Sequence, residues 1–172
     1  PKDEAIIADY INQAPENVKF IIAPHNIKPD QIADLQSKIT KSTVLFSEKE
    51  NKDLSEYNVF IIDIVGILTK IYSYGTIAYV GGGFGNPGIH NILEPATFGM
   101  PIIIGPNYSN FAEAIALVEI GGCMPISASS ELKEILDKLL NDKNFLKEKS
   151  EICSSFIQDH KGATETIIKA VS

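Results

Sequence analysis

Thr76-Ile77-Ala78-Tyr79-Val80-Gly81-Gly82-Gly83-Phe84-Gly85-Asn86-Pro87-Gly88 changes character midway. Five strand-forming residues run directly into a glycine-rich loop. From about His90 to Phe98 the spacing becomes helical, and Gly99 stands where a left-handed residue ends a helix. Strand, tight loop and helix in that order are the repeating step of a parallel α/β sheet.

The alternation continues in both directions. Upstream, Lys19–Ala23 reads as a strand closed by Pro24, Asp30–Ile39 as a helix with Ile32, Leu35 and Ile39 on one face, and Thr43–Ser47 and Val59–Asp63 as two more strands. Leu68, Ile71 and Tyr72 mark a helix before Thr76. Downstream come a strand at Pro101–Ile104 stopped by Gly105-Pro106, a helix at Phe111–Ile120 stopped by Gly121-Gly122, and a short strand at Cys123–Ile126. Ser129 or Ser130 then caps a helix carrying Leu132, Ile135, Leu136, Leu139 and Leu140, and Lys143 to the end reads as one or two further helices. Strands apolar on both faces and separated by helices predict a Rossmann-like, doubly wound α/β fold: a parallel sheet of about six strands with helices on both faces. No linker or repeat divides residues 1–172, so one domain is expected. Ligands of such sheets bind beyond the carboxyl ends of the strands, which directs attention to the loops after Ala23, Asp63, Val80 and Ile104.

Composition narrows the function. The chain has 172 residues, 44% hydrophobic and 22% charged, the balance of an ordinary globule and not of a disordered or fibrous protein. No run approaches the ~18 apolar residues of a membrane span. The opening Pro1-Lys2-Asp3-Glu4 lacks the features of a signal peptide, and Cys123 and Cys153 have no ligand-like spacing, so a soluble, cytoplasmic domain with reduced thiols is expected. The net charge is −7, and all 15 basic side chains are lysines. That balance argues against a nucleic-acid partner. No lysine lies between Ile71 and Leu132, so an anion bound there rests on backbone N–H groups and a helix start, an arrangement suited to a ligand of low charge.

The glycine loop is the leading candidate for such a cradle, because glycine lets ligand atoms approach the backbone; the alternative is a turn shaped only for tight packing. Gly83, Gly85 and Gly88 formally match GxGxxG, but no acid follows the next strand, and the absence of Gly-Lys-Ser/Thr excludes a P-loop. Asn91 and Glu94 are expected on one face of the helix, where the carboxylate can accept both hydroxyls of a ribose or simply favour the helix dipole. His90 and Glu94 have the spacing of a metal pair without an evident third ligand, so no metal is expected. After the first strand, Pro24 is followed by His25, read either as a phosphate donor or as a solvated surface histidine. Asp63 and Gly66 either touch a base or cap the next helix, and His160 has no chemical role to suggest. No nucleophile, general base or acid pair forms a catalytic set.

Ala78-Tyr79-Val80-Gly81-Gly82-Gly83-Phe84, Gly88-Ile89-His90-Asn91-Ile92-Leu93-Glu94-Pro95-Ala96 and Gly99-Met100-Pro101-Ile102-Ile103-Ile104-Gly105-Pro106 together resemble the nucleotide-binding half of the 3-deoxy-D-manno-octulosonic acid (Kdo) transferases. Phe20–Pro24, Asp63–Gly66 and Lys70–Gly75 extend the likeness over roughly Phe20 to Ala116. The resemblance implies the C-terminal domain of a two-domain GT-B glycosyltransferase. The donor would be CMP-Kdo, the acceptor a lipid A precursor of lipopolysaccharide at the cytoplasmic face of the Gram-negative inner membrane, and no cofactor or metal would be needed. The general base, the acceptor surface and any membrane contact would then belong to an N-terminal domain outside this chain, leaving it inactive alone. Carried onto these positions, Gly82, Gly83 and Phe84 would approach phosphate and nucleoside, Asn91 and Glu94 would bind ribose or phosphate oxygens, and Pro24 with the next residue would face the phosphate from the other wall. Many relatives have arginine where this chain has His25, so either the imidazole substitutes or backbone dipoles hold the phosphate. A single phosphodiester suits an arginine-free site better than a diphosphate does. Two alternatives remain open: the donor domain of another GT-B enzyme using a UDP-sugar, and a non-enzymatic Rossmann nucleotide-binding or interaction module. If Phe145, Ile152, Phe156 and Ile157 are exposed on the terminal helices, the chain would self-associate; otherwise they cover the sheet.

Overall fold

The structure, a computed structural model, describes residues 2–160. The chain divides into two compact units, Pro1–Gly75 with Ser127–Ile135 and Thr76–Ile126 with Leu136–Ser172. All six expected strands form and all pair in parallel, in two sheets of three. Each is shorter than its apolar run.

In the first unit β1 (Phe20–Ile22) and β2 (Thr43–Leu45) flank β3 (Val59–Ile61). Residues 20–22 and 43–45 both register against 59–61. Helix α1 (Lys2–Gln13) precedes β1, and α2 (Pro29–Lys38) connects β1 to β2, with Pro29 occupying the first turn where its missing N–H has no helical partner to lose. Ala8 and Ile11 of α1, Ile32 and Leu35 of α2, Ile39, and Val59 and Ile61 of β3 form one buried cluster. Each fully buried Ile or Val contributes about 1.5–3 kcal/mol. Asn12 ties the two helices together: its Nδ2 donates to Lys38 C=O (2.9 Å) and its Oδ1 accepts from Thr40 N–H (2.8 Å).

In the second unit β5 (Ile102–Ile104) is central between β4 (Ala78–Val80) and β6 (Cys123–Pro125). Its three isoleucines are all at 0% exposure, which explains the uninterrupted apolar run. Helix α5 (Ala112–Glu119) follows β5 and contributes buried Ala114 and Leu117. Helix α6 (Ser129–Asn141), which counts with the first unit as far as Ile135, begins with both candidate cap serines inside its first turn, while Ser127 N–H donates to the Glu131 carboxylate (2.7 Å). Helix α7 (Lys143–Asp159) starts at Asp142, whose carboxylate accepts from Asn144 and Phe145 N–H (3.0 Å each). The rest of the expected terminal helix, residues 161–172, lies outside the described residues.

Two expected helices are much shorter. The one near Leu68 is a single turn, α3 (Leu68–Ile71), continued by a 3-10 turn at Tyr72–Tyr74, and Ile67 opens it without a side-chain bond. The one expected from His90 is α4 (Leu93–Thr97), so His90 and Asn91 precede it. Asn91 Oδ1 accepts from Leu93 N–H (3.0 Å), a local bond that competes with helical geometry. Its end is as expected: Gly99 has φ +66°, and Gly99 N–H donates to Ala96 C=O (2.9 Å). A Cβ at Gly99 would stand 2.5 Å from Ser154 Oγ, so α4 packs closely on α7. The apolar residues of α7 are not an open face. Phe156 is 6% exposed, Phe145, Ile152 and Ile157 are half-buried, and the Lys138 ammonium lies 4.0 Å from the Phe145 ring centre.

Candidate functional site

The loop after β4 closes upon itself through Gly85 N–H to Gly82 C=O (2.9 Å), Gly88 N–H to Gly85 C=O (3.4 Å) and His90 N–H to Gly81 C=O (3.0 Å). The amides of Gly82, Gly83 and Phe84 donate in none of these bonds. Each key glycine also has an intramolecular reason. Gly82 has φ +93°, and a Cβ there would sit 2.4 Å from Gly88 C=O. A Cβ at Gly83 would sit 2.6 Å from Gly105 Cα and N; one at Gly88 (φ +84°) would sit 2.5 Å from the Phe111 ring. The space left by the missing side chain at Gly83 is thus filled by the turn after β5. Ligand access to this loop rests on its amide donors and not on empty volume beside Gly83.

Asn91 and Glu94 do meet, by a different geometry from the one expected. Asn91 is exposed in the turn before α4; its Nδ2 donates to Glu94 Oε1 (3.2 Å) while its Oδ1 takes the Leu93 N–H. His90 precedes them, its ring carbon Cδ2 3.1 Å from where a Cβ on Gly82 would be, which brings the pair back against the first part of the loop. A neutral amide and a carboxylate so joined can accept from ribose hydroxyls and donate to a phosphate oxygen. His90 lies outside α4, so the spacing of His90 and Glu94 is not that of two positions one turn apart on a helix.

Pro24 and His25 belong to the first unit, just after β1, with Pro24 half-buried and His25 exposed. Asp63 there does not cap α3. Its carboxylate accepts from Ser47 N–H (2.9 Å) and from the Ser47 hydroxyl, joining the turn after β3 to the turn after β2. Burial raises its pKa, but the Ser47 bonds outweigh that and hold it below the usual carboxylate value. His160 ends α7, its Nδ1 2.7 Å from Phe156 C=O. A surface cleft of about 550 Å³ involves Ile120, Ile152, Phe156 and the acidic Glu119, Glu151 and Asp159, none of which is a candidate site residue.

The residue that sequence reasoning missed is Asn107, in the turn between β5 and α5. Its N–H donates to Gly83 C=O (3.0 Å) and its Nδ2 to Gly85 C=O (3.1 Å). The signal available was its place two residues after Gly105, at the carboxyl end of a strand.

No protein-family model matches the chain. A 3-deoxy-D-manno-octulosonic acid transferase from Aquifex aeolicus is 32% identical over 138 residues, covering 80% of this chain and 38% of that protein. One from Haemophilus influenzae is 28% identical over 168 residues, 95% of this chain and 38% of its own. A bifunctional glycosyltransferase/methyltransferase from Fusobacterium nucleatum is 28% identical over 171 residues, 97% of this chain and 26% of its own. The chain therefore spans between about a quarter and two fifths of the length of these curated relatives. The crystal structure of the C-terminal CMP-Kdo binding domain of WaaA from Acinetobacter baumannii superposes with a TM-score of 0.77 at 21% identity, covering 91% of this chain and 83% of that one.

The parallel α/β architecture is that of the C-terminal, Rossmann-like half of a GT-B fold. Within that class, the chain belongs to the 3-deoxy-D-manno-octulosonic acid transferase family, matching about a third of its members' length. Among the described residues no helix is long and apolar enough to cross a membrane.

Proposed function

We propose that this chain is the donor-binding half of a Kdo transferase, holding CMP-Kdo while Kdo passes to a lipid A precursor at the cytoplasmic face of the bacterial inner membrane. The general base and acceptor surface lie on another part of the parent enzyme. The observation that carries the reading is the glycine loop with its uncommitted Gly82, Gly83 and Phe84 amides beside the joined Asn91–Glu94 pair, in a chain whose relatives are named as Kdo transferases. The amides receive the phosphate, and Asn91 and Glu94 bind ribose or phosphate oxygens. Since Ile71–Leu132 contains no lysine and the chain no arginine, the loop has dipoles but no fixed cation to offer. One phosphodiester charge is the better match.

The test is calorimetric titration of the 172-residue chain with CMP, UDP and NAD. CMP is expected to bind more tightly than the other two. No CMP binding at millimolar concentration would overturn the reading, and tighter UDP binding would replace it with a UDP-sugar enzyme. Glu94→Ala is expected to weaken CMP binding by roughly three- to tenfold, the range for one lost hydrogen bond, with the fold intact. Unchanged affinity would remove the ribose role from Glu94.

A further inference from the structure

The glycine loop does not hold its shape alone. Two of its internal bonds close single turns and the third, His90 N–H to Gly81 C=O, closes its base, whereas the segment between is bound to the rest of the unit by the turn following β5: Gly105 against Gly83, Phe111 against Gly88, and two hydrogen bonds from Asn107. Those two bonds fix more than distance. A trans peptide unit is planar, with its C=O and N–H pointing in opposite directions. The Gly83 carbonyl turned toward Asn107 N–H therefore turns the Phe84 N–H away from Asn107. The Gly85 carbonyl turned toward Asn107 Nδ2 does the same for the Asn86 N–H. Neither of these amides donates in the loop's own bonds.

We infer that Asn107 is a positioning residue for the nucleotide: by latching two loop carbonyls it orients the opposed amides of Phe84 and Asn86 as phosphate donors. This rests on the donor-binding reading above and adds to it the residue that sets the loop's geometry. It also explains how a site with no arginine presents donors in a fixed direction, since the orientation of a backbone dipole has to be held by the protein itself.

The experiment compares wild type, Asn107→Ala, Asn107→Asp and Asn107→His by CMP titration, thermal melting and amide NMR of the ligand-free chain. Alanine and aspartate remove the side-chain donor and leave the backbone bond to Gly83. Histidine places an N–H donor the same number of bonds from Cα as the Asn Nδ2. Alanine and aspartate are expected to bind CMP about three- to tenfold more weakly, to displace the Asn86 amide resonance and to melt within about 2 °C of wild type. Histidine is expected to recover the affinity to within about twofold, as restoration of a single hydrogen bond requires. Equal affinity in wild type and Asn107→Ala overturns the inference, as does Asn107→His binding no better than Asn107→Ala. A weakening of binding matched by a large loss of melting temperature also overturns it, because the role is then structural. If wild type binds no CMP, the donor-binding reading falls by itself; the latch is then decided in the ligand-free chain, where an unmoved Asn86 resonance in Asn107→Ala overturns it and a displaced one supports it.

Discussion

Replacing Gly105 by alanine tests the claim that the loop's glycines are first of all a packing device. The added Cβ would lie 2.5 Å from the Gly83 carbonyl carbon, 2.8 Å from Phe84 Cδ2 and 2.9 Å from Gly83 Cα. Two of those three atoms are backbone and cannot rotate away. Restoring an ordinary contact of 3.4 Å requires the two turns to separate by roughly 0.9 Å, stretching the 3.0 Å bond from Asn107 N–H to Gly83 C=O. Overpacking of this kind costs about 2–3 kcal/mol. In a chain of this size that corresponds to a fall in melting temperature of about 4–12 °C. Gly105 is outside the positive-φ region, so the cost is steric and not conformational. Gly85→Ala is the control, because its Cβ would meet nothing closer than 3.4 Å; it is expected to melt within about 1 °C of wild type. Thermal melts followed by circular dichroism, repeated in urea, measure both. A Gly105→Ala chain melting within about 2 °C of wild type would refute the packing argument, as would a Gly85→Ala chain equally damaged.

Asp63 gives a pH dependence. A carboxyl whose folded pKa lies below its unfolded value stabilises the native state fully above about pH 3.9 and loses that contribution as pH falls through the folded value. Stability is therefore expected to drop on acidification below about pH 4, less steeply in Asp63→Asn; identical acid limbs in urea titrations would show that the Ser47 bonds do not contribute. The thiols act at the opposite end: burial, with the neighbouring Cys153 second, pushes Cys123 up to about 12, and burial pushes Cys153 up to about 11 against the opposing pull of Lys149. Their contribution is complete below about pH 8.5, the unfolded value, and is lost as pH rises toward the folded ones. Neither thiol is expected to react with a disulfide reagent at pH 8 until urea unfolds the chain, and rapid reaction of the native protein would contradict the burial of both.

Much of the fold was legible because its strands are marked by composition. Ile102, Ile103 and Ile104 have no polar alternation, and only a strand covered on both faces accepts that pattern. Helix α2 was equally clear from Ile32 and Leu35. The start of α4 was not. Periodicity from His90 onward does not reveal that the Asn91 side chain takes the Leu93 amide and delays the helix, since that is a competition between two local hydrogen bonds of similar strength. The six strands likewise read as one series, whereas their pairing into β1-β3-β2 and β4-β5-β6 depends on contacts between residues far apart in the chain.

The candidate site divides along the same line. Its residue types and their order, the glycines, Asn91 and Glu94, are properties of the sequence, and so is the absence of arginine that limits the charge it can neutralise. Which glycine is needed for what was settled only by tertiary structure: Gly83 yields its side-chain space to Gly105, and Asn107 turns the loop's peptide planes from the far end of β5. A single chain records which groups are available to bind; the direction each one points is set by neighbours that folding brings alongside.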